Sequence, residues 1–185
     1  MSHRLVYVIG PSGAGKDSVL GKLREEWPAH IPVHWSTRTI TRPANAGGEQ
    51  HEAVDPIAFQ QLTQSHAFAT QWQANGLSYG IRREELAPLH SGHWVFVNGS
   101  RAHLADFLRA WPEATVVHIS ASPNVLARRL AARGRETEEA IAQRLARAVP
   151  MQLPPDAIPI TNDGDLGEAV STLRKCLLAR APCSQ

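Results

Sequence analysis

Near the start of the chain, Gly10-Pro11-Ser12-Gly13-Ala14-Gly15-Lys16 keeps the spacing G-x-x-x-x-G-K. Glycines so placed let successive backbone N–H groups turn inward around an anion, and a helix beginning at the lysine adds the positive end of its dipole. Lys16 brings a full positive charge to the same spot. The chemistry implied is the grip of a nucleoside triphosphate by its phosphates. One position departs from the pattern: where a serine or threonine hydroxyl would meet Mg²⁺, the chain has Asp17, followed by Ser18. A carboxylate is a hard oxygen ligand for Mg²⁺, directly or through water, and the dipole favours its charge in a first helical turn. Two readings stand side by side: Asp17 serves the metal, or Asp17 caps the helix while Ser18 or water serves the metal.

Such a loop must be held between a buried strand and a helix. Residues 5–9, Leu-Val-Tyr-Val-Ile, read as the strand, and residues 16–27 as a helix that Pro28 stops. A second strand is expected over 33–36. Residues 37–92 are rich in Gln, His, Gly and Pro, lack a sustained apolar period, and read as an inserted lobe for a substrate. The rhythm then returns with a strand at 94–97, a helix at 100–110, a strand at 115–119, helices at 123–132 and 137–149, a strand at 157–160 and a helix at 166–178. Strands alternating with helices imply the α/β class, with a central parallel sheet covered by helices. Without repeats or low-complexity tracts, the chain reads as one domain over 1–185, its core at 1–36 and 93–185 and its insertion at about 37–92.

Composition narrows the partners. At 185 residues, 43% hydrophobic and 19% charged, the chain is long enough for a substantial core and too apolar for disorder. A net charge of +2 is too small for binding nucleic acid through an overall field. The apolar runs at 5–9 and 94–97 fall far short of the roughly 18 residues of a membrane span, and no cleavable signal precedes the first. The expectation is a soluble, cytoplasmic protein acting on a small molecule. Cys176 and Cys183 supply neither a disulfide framework nor a metal-ligand spacing, and among nine histidines only His90 and His93 are closer than four residues. Sixteen of the 19 cations are arginines, whose planar fork suits phosphate oxygens, although a codon preference would give the same count. Trp35, Trp72 and Trp94 lie in or beside apolar strands and read as core.

Further motifs extend the pattern: Ser36-Thr37-Arg38 through Thr41-Arg42-Pro43, Gly76-Leu77-Ser78-Tyr79-Gly80, Arg133-Gly134-Arg135-Glu136-Thr137-Glu138-Glu139, Arg144-Leu145-Ala146-Arg147-Ala148 and Thr161-Asn162-Asp163. Together with the loop they resemble the guanylate kinase family of nucleoside monophosphate kinases over almost the whole chain. The resemblance implies a P-loop kinase fold with an acceptor-binding lobe and a lid at about 129–147, using ATP and Mg²⁺. It implies that residues 10–18 hold the nucleotide, that Arg42, with Arg38 as the alternative at that spacing, and Tyr79 hold the acceptor phosphate, and that Arg133, Arg144 and Arg147 belong to the lid. Asn162 falls near the adenine. Arg128, Arg129 and Arg135 are instead read as a solvated helix face paired with Glu136, Glu138 and Glu139.

The family reads guanine with acidic groups, since only acceptors satisfy an N–H and an adjoining amine together. Here Thr70 stands where the family has a glutamate, Phe96 and Asn98 replace an acidic pair, and His51 falls near a family tyrosine. Losing such complements costs roughly four to five orders of magnitude of discrimination. The departures, with Gly48-Glu49-Gln50-His51 and Val97-Asn98-Gly99-Ser100-Arg101, resemble a branch of the family whose acceptor is ribose 1,5-bisphosphate. On that resemblance Glu49, His51 and Asn98 meet sugar hydroxyls, Arg101 meets the distal phosphate, and the product is 5-phosphoribosyl 1-diphosphate. A nucleoside monophosphate kinase with substitute readers such as Gln71 and Asn98, and a non-catalytic interaction module, are the alternatives. Monomer and homodimer are equally compatible with the sequence.

Overall fold

The computed structural model of the chain describes residues 2–45, 50–132 and 151–180. The helix expected at 137–149, Glu49, Arg133, Arg144 and Arg147 lie outside the described residues. In chain order the strands are β1 (Leu5–Ile9), β2 (Val33–Trp35), β3 (Arg38–Ile40), β4 (Glu52–Ala53), β5 (Phe68–Ala74), β6 (Leu77–Arg82), β7 (Trp94–Asn98), β8 (Thr115–Ser120) and β9 (Ile158–Thr161). The helices are α1 (Lys16–Glu25), α2 (Pro56–Gln64), α3 (Arg83–Leu86), α4 (Leu104–Ala110), α5 (Pro123–Ala132) and α6 (Leu166–Ala179). One sheet has the order β2-β7-β1-β8-β9 and a second the order β4-β3-β6-β5. β2 runs parallel to β7, Val33 opposite Trp94, and β8 parallel to β9, Val117 opposite Ile158. The five-stranded parallel sheet is the α/β core that the alternation implies. All five residues of β1 are sealed from solvent, as a central strand covered on both faces requires.

The chain clusters into two compact units, residues 1–7 with 28–115, and residues 8–27 with 116–185. In the second, α1 packs against α6, burying Val19 and Leu23 on one side and Ala169, Val170, Leu173 and Leu177 on the other. Asp165 caps α6 by accepting from the N–H groups of Gly167 and Glu168, and Arg174 donates to the Glu26 carbonyl at 2.8 Å across the α1–α6 pair. α5 buries Val125, Leu126 and Leu130.

The first unit contains what the sequence shows only as a polar lobe. The described residues of 37–92 fold into β3–β6 with α2 and α3, the pairings β3–β6 and β6–β5 being antiparallel: Ile40 and Trp72 both lie opposite Tyr79, and Arg38 opposite Ile81. One face is covered by α2, through Phe59 stacked on Phe68 at 4.7 Å and Thr63 bonded to Gln71 at 2.8 Å. Glu52 of β4 ties that side together, accepting from Thr39 at 2.6 Å and from both ends of the Arg82 fork. The short strands escaped notice because two- to seven-residue segments with mixed burial give little period to read. α2 had a signal, Asp55 before Pro56: the Asp55 carboxylate accepts from Ala58 N–H at 2.7 Å and the proline occupies the first turn. The helix expected at 100–110 is divided into a 3₁₀ turn at Arg101–His103 and α4.

Candidate active site

The loop that follows β1 is shaped by glycines and braced by side chains. A Cβ on Gly10 would lie 2.0 Å from the Ile119 carbonyl oxygen, so the strand can pass into the loop only without a side chain there. Gly15 takes φ +82°, a left-handed conformation, and starts α1 with no side-chain cap. The first N–H groups of α1 therefore receive no bond from a side chain at the N-cap position. Lys16 Nζ donates to the Gly10 carbonyl at 3.0 Å, and Ala14 N–H to the Pro11 carbonyl at 3.2 Å, which closes the turn. From outside the loop, Asn162 Nδ2 donates to the Ala14 carbonyl at 2.8 Å, and an Arg129 terminal nitrogen stands 3.5 and 3.4 Å from the Gly13 and Ala14 carbonyls. Asp17 and Ser18 are exposed in the first turn of α1. Helix N–H groups and two cations around a glycine cradle fit a polyphosphate, with a carboxylate at hand for its metal.

In the first unit, the face of β3-β6-β5 opposite to α2 carries Arg38, Ile40, Tyr79, Ile81, Thr70 and Trp72, since directly opposed residues of antiparallel strands share a face. The Arg38 guanidinium lies 5.2 Å from the Tyr79 ring centroid, and Trp72 stacks parallel to Tyr79 at 5.5 Å. Arg42 and His51 clasp each other: an Arg42 terminal nitrogen donates to His51 Nδ1 at 3.2 Å and His51 Nε2 donates to the Arg42 carbonyl at 3.1 Å, so the imidazole proton sits on Nε2. Arg42 Nε is buried with no hydrogen-bond partner, which suits a guanidinium placed for an anion. After β7, the Tyr7 hydroxyl accepts from Ser100 N–H at 3.0 Å, and burial pushes the Tyr7 phenol up to about 12. Asn98 is buried at the end of β7, while Arg101 is exposed.

A family model described as Guanylate kinase matches residues 2–180. The chain belongs to the guanylate kinase family. Among relatives within it, a protein of Rhizobium etli named Ribose 1,5-bisphosphate phosphokinase PhnN is 43% identical over 166 residues, 89% of this chain and 84% of that protein. One of the same name from Agrobacterium fabrum is 40% identical over 182 residues, covering 98% of this chain and 100% of that one. The crystal structure of guanylate kinase from Anaplasma phagocytophilum shares the fold, with a TM-score of 0.69 at 19% identity over 95% of this chain and 84% of that chain.

Of the residues expected from the guanylate kinase family, Lys16 folds back on Gly10 within the loop, Arg38 lies by the Tyr79 ring, and Arg42 pairs with His51. Asn162, expected at the adenine, is 3% exposed and braces the loop through Ala14. Arg128 is exposed, as a solvated helix face requires, but Arg129 is turned to the loop carbonyls, and the solvated reading of that residue is corrected. A signal existed in the spacing: Arg129 stands four residues before Arg133, which the family resemblance gives to the lid. His103 was also missed. Its Nε2 lies 2.6 Å from Thr70 Oγ1 and its ring stacks on Trp72 at 5.4 Å, a meeting of residues 33 apart that no local pattern announces. Trp94 and Trp72 are both buried, at 2% and 8% exposure, Trp72 stacked against Tyr79. Among the described residues, no group of three His, Cys, Asp or Glu side chains is placed for a metal ion, and no helix is long and apolar enough to cross a membrane.

Proposed function

We propose that the chain transfers the γ-phosphoryl group of ATP to the 1-phosphate of ribose 1,5-bisphosphate, forming 5-phosphoribosyl 1-diphosphate and ADP in phosphonate catabolism. The observation that carries this reading is an intact phosphate cradle in a chain of near full-length kinship to ribose 1,5-bisphosphate phosphokinases, with Thr70 on the acceptor face in place of an acidic base reader. ATP as donor places the enzyme in the cytoplasm.

A phosphomonoester has its second pKa near 6, so the attacking oxygen is already ionised at pH 7 and no general base is needed. The obstacle is repulsion between polyanions, about 4 kcal/mol per unit-charge pair at 4 Å for an effective dielectric of 20, together with charge spreading over the equatorial oxygens of a loose transition state. Lys16, Arg129 and the N–H groups of α1 meet the donor phosphates. Mg²⁺ bound with ATP neutralises part of the same charge, and Asp17 is the carboxylate available to it. Arg42 and Arg38, with the Tyr79 hydroxyl, hold the acceptor phosphate, and the Arg42–His51 clasp keeps the guanidinium in place; for His51 to meet a sugar hydroxyl, one of its two bonds to Arg42 must give way. Asn98 and Arg101 serve the acceptor side, to which the family resemblance adds Glu49, and the same resemblance gives Arg133 and Arg144 to the lid.

A coupled ADP-release assay with Mg·ATP, offering ribose 1,5-bisphosphate and guanylate in parallel at equal concentration, tests the reading. Selective turnover of the sugar is expected. Selective turnover of guanylate would make the chain a nucleoside monophosphate kinase, and absence of Mg·ATP binding in a titration would make it a non-catalytic module.

A further inference from the structure

On the acceptor face, four flat groups form a row: Arg38 over Tyr79 at 5.2 Å, Tyr79 against Trp72 at 5.5 Å, and Trp72 against His103 at 5.4 Å. The first three come from neighbouring strands, and the register of β3, β6 and β5 obliges them to share a face. His103 is different, because it arrives from the 3₁₀ turn after β7 and lands on this row. It is anchored twice, by the Thr70 hydroxyl at 2.6 Å and by Asp106, 3.6 Å from Nδ1. Only 12% of its side chain is exposed, and burial holds the imidazole below its ordinary pKa against the opposing pull of Asp106. With its proton on Nδ1, toward Asp106, the neutral ring accepts from Thr70 through Nε2.

We propose that His103 is a specificity-determining residue of the acceptor site, seated on Thr70 and Trp72 so that it closes the aromatic face beyond Tyr79 and restricts the acceptor to a phosphorylated sugar without a nucleobase. This rests on the functional reading above. An acceptor anchored by its phosphate at the Arg38 and Arg42 end extends along the row. A ribose needs only the span near Tyr79, whereas a planar base attached to it needs the surface of Trp72 for stacking and the Thr70 hydroxyl for a polar contact. Both are already taken by an imidazole belonging to the protein.

The test is titration calorimetry of guanylate into wild type, His103→Ala and His103→Gln, each first shown to bind Mg·ATP, followed by kinetics on both acceptors. Wild type should give no guanylate binding heat. His103→Ala should bind guanylate and raise the ratio of kcat/KM for guanylate over ribose 1,5-bisphosphate at least about tenfold, mainly through KM, because a filled slot has been opened. His103→Gln, a flat amide that still reaches Thr70, should restore most of the wild-type refusal. A His103→Ala protein that binds Mg·ATP normally and gains no guanylate binding would overturn the proposal. Should His103→Ala not fold, wild type decides by competition: no inhibition by guanylate at about 100 times the sugar's KM supports the closed slot, and competitive inhibition at a concentration near that KM overturns it. Wild type inactive on ribose 1,5-bisphosphate would defeat the functional reading instead, and guanylate binding, read without the sugar, would still judge His103.

Discussion

Lys16 separates chemistry from stability at the level of one residue. Its charge points at the loop, donating to the Gly10 carbonyl, while the buried residues of α1 are Val19 and Leu23. Lys16→Ala should lower kcat by about 10²–10³, the cost of removing one preorganised charge, with stability changed by no more than about 0.5 kcal/mol. Steady-state kinetics beside a denaturation curve checks this, and unchanged turnover would remove Lys16 from the mechanism. Asp17→Ala should raise the Mg²⁺ concentration needed for half-maximal rate, and Asp17→Ser should do so mildly; an unaltered Mg²⁺ titration removes Asp17 from the metal's binding. Glu52 carries a pH prediction. The Arg82 hydrogen bond, helped by Thr39 and opposed by burial, holds its carboxyl below 4.5. A depressed folded-state pKa stabilises the protein above the unfolded value and loses that contribution as the pH falls through the folded value. Glu52→Gln should therefore melt below wild type at pH 7, and the deficit should shrink as the pH drops under about 4. An equal deficit at both pH values would assign the effect to shape and not to charge.

Gly10, just after β1, and Gly21, within α1, make opposite demands. Gly10 sits against the Ile119 carbonyl, whereas Gly21 is inside α1 with nothing within 4 Å of its would-be Cβ. Gly21→Ala should stabilise by about 0.5–1 kcal/mol, the usual gain of alanine over glycine in a helix. Gly10→Ala must shift β1 from β8 and should destabilise by several times that, with loss of Mg·ATP binding; chemical denaturation of both variants measures the contrast. Elements with strong periods were legible in the sequence: β1 and α5 occur over the expected residues, and β8 and α6 end within one residue of expectation. The lobe was not legible, because its register depends on an irregularity between Phe68 and Thr70 that carries no sequence mark. That shift turns Phe68 opposite Arg82 and toward Phe59, while Thr70 stays in unbroken register with Trp72, opposite Ile81 and on the face of Tyr79.

The whole chain should respond to its donor by linkage, since a ligand that binds only the folded state stabilises it by RT ln(1 + [L]/Kd). Mg·ATP at about 100 times its Kd should add about 2.7 kcal/mol, and Lys16→Ala should lose most of the accompanying rise in melting temperature. A wild-type melt unmoved by Mg·ATP would contradict the donor assignment. What the sequence by itself determined was the donor half: a phosphate cradle is a local object, built from residues 10–18 around one strand end and one helix start, so spacing alone specifies it. Set beside the resembled family, it also showed Thr70, Phe96 and Asn98 where that family has acidic groups. Only the tertiary structure decided that Arg129 and Asn162 brace the loop from more than 110 residues away, and that His103 crosses to Thr70 and Trp72. Those meetings are made by sheet register and helix packing, whose energies come from many distant contacts at once, and a linear pattern holds no record of them.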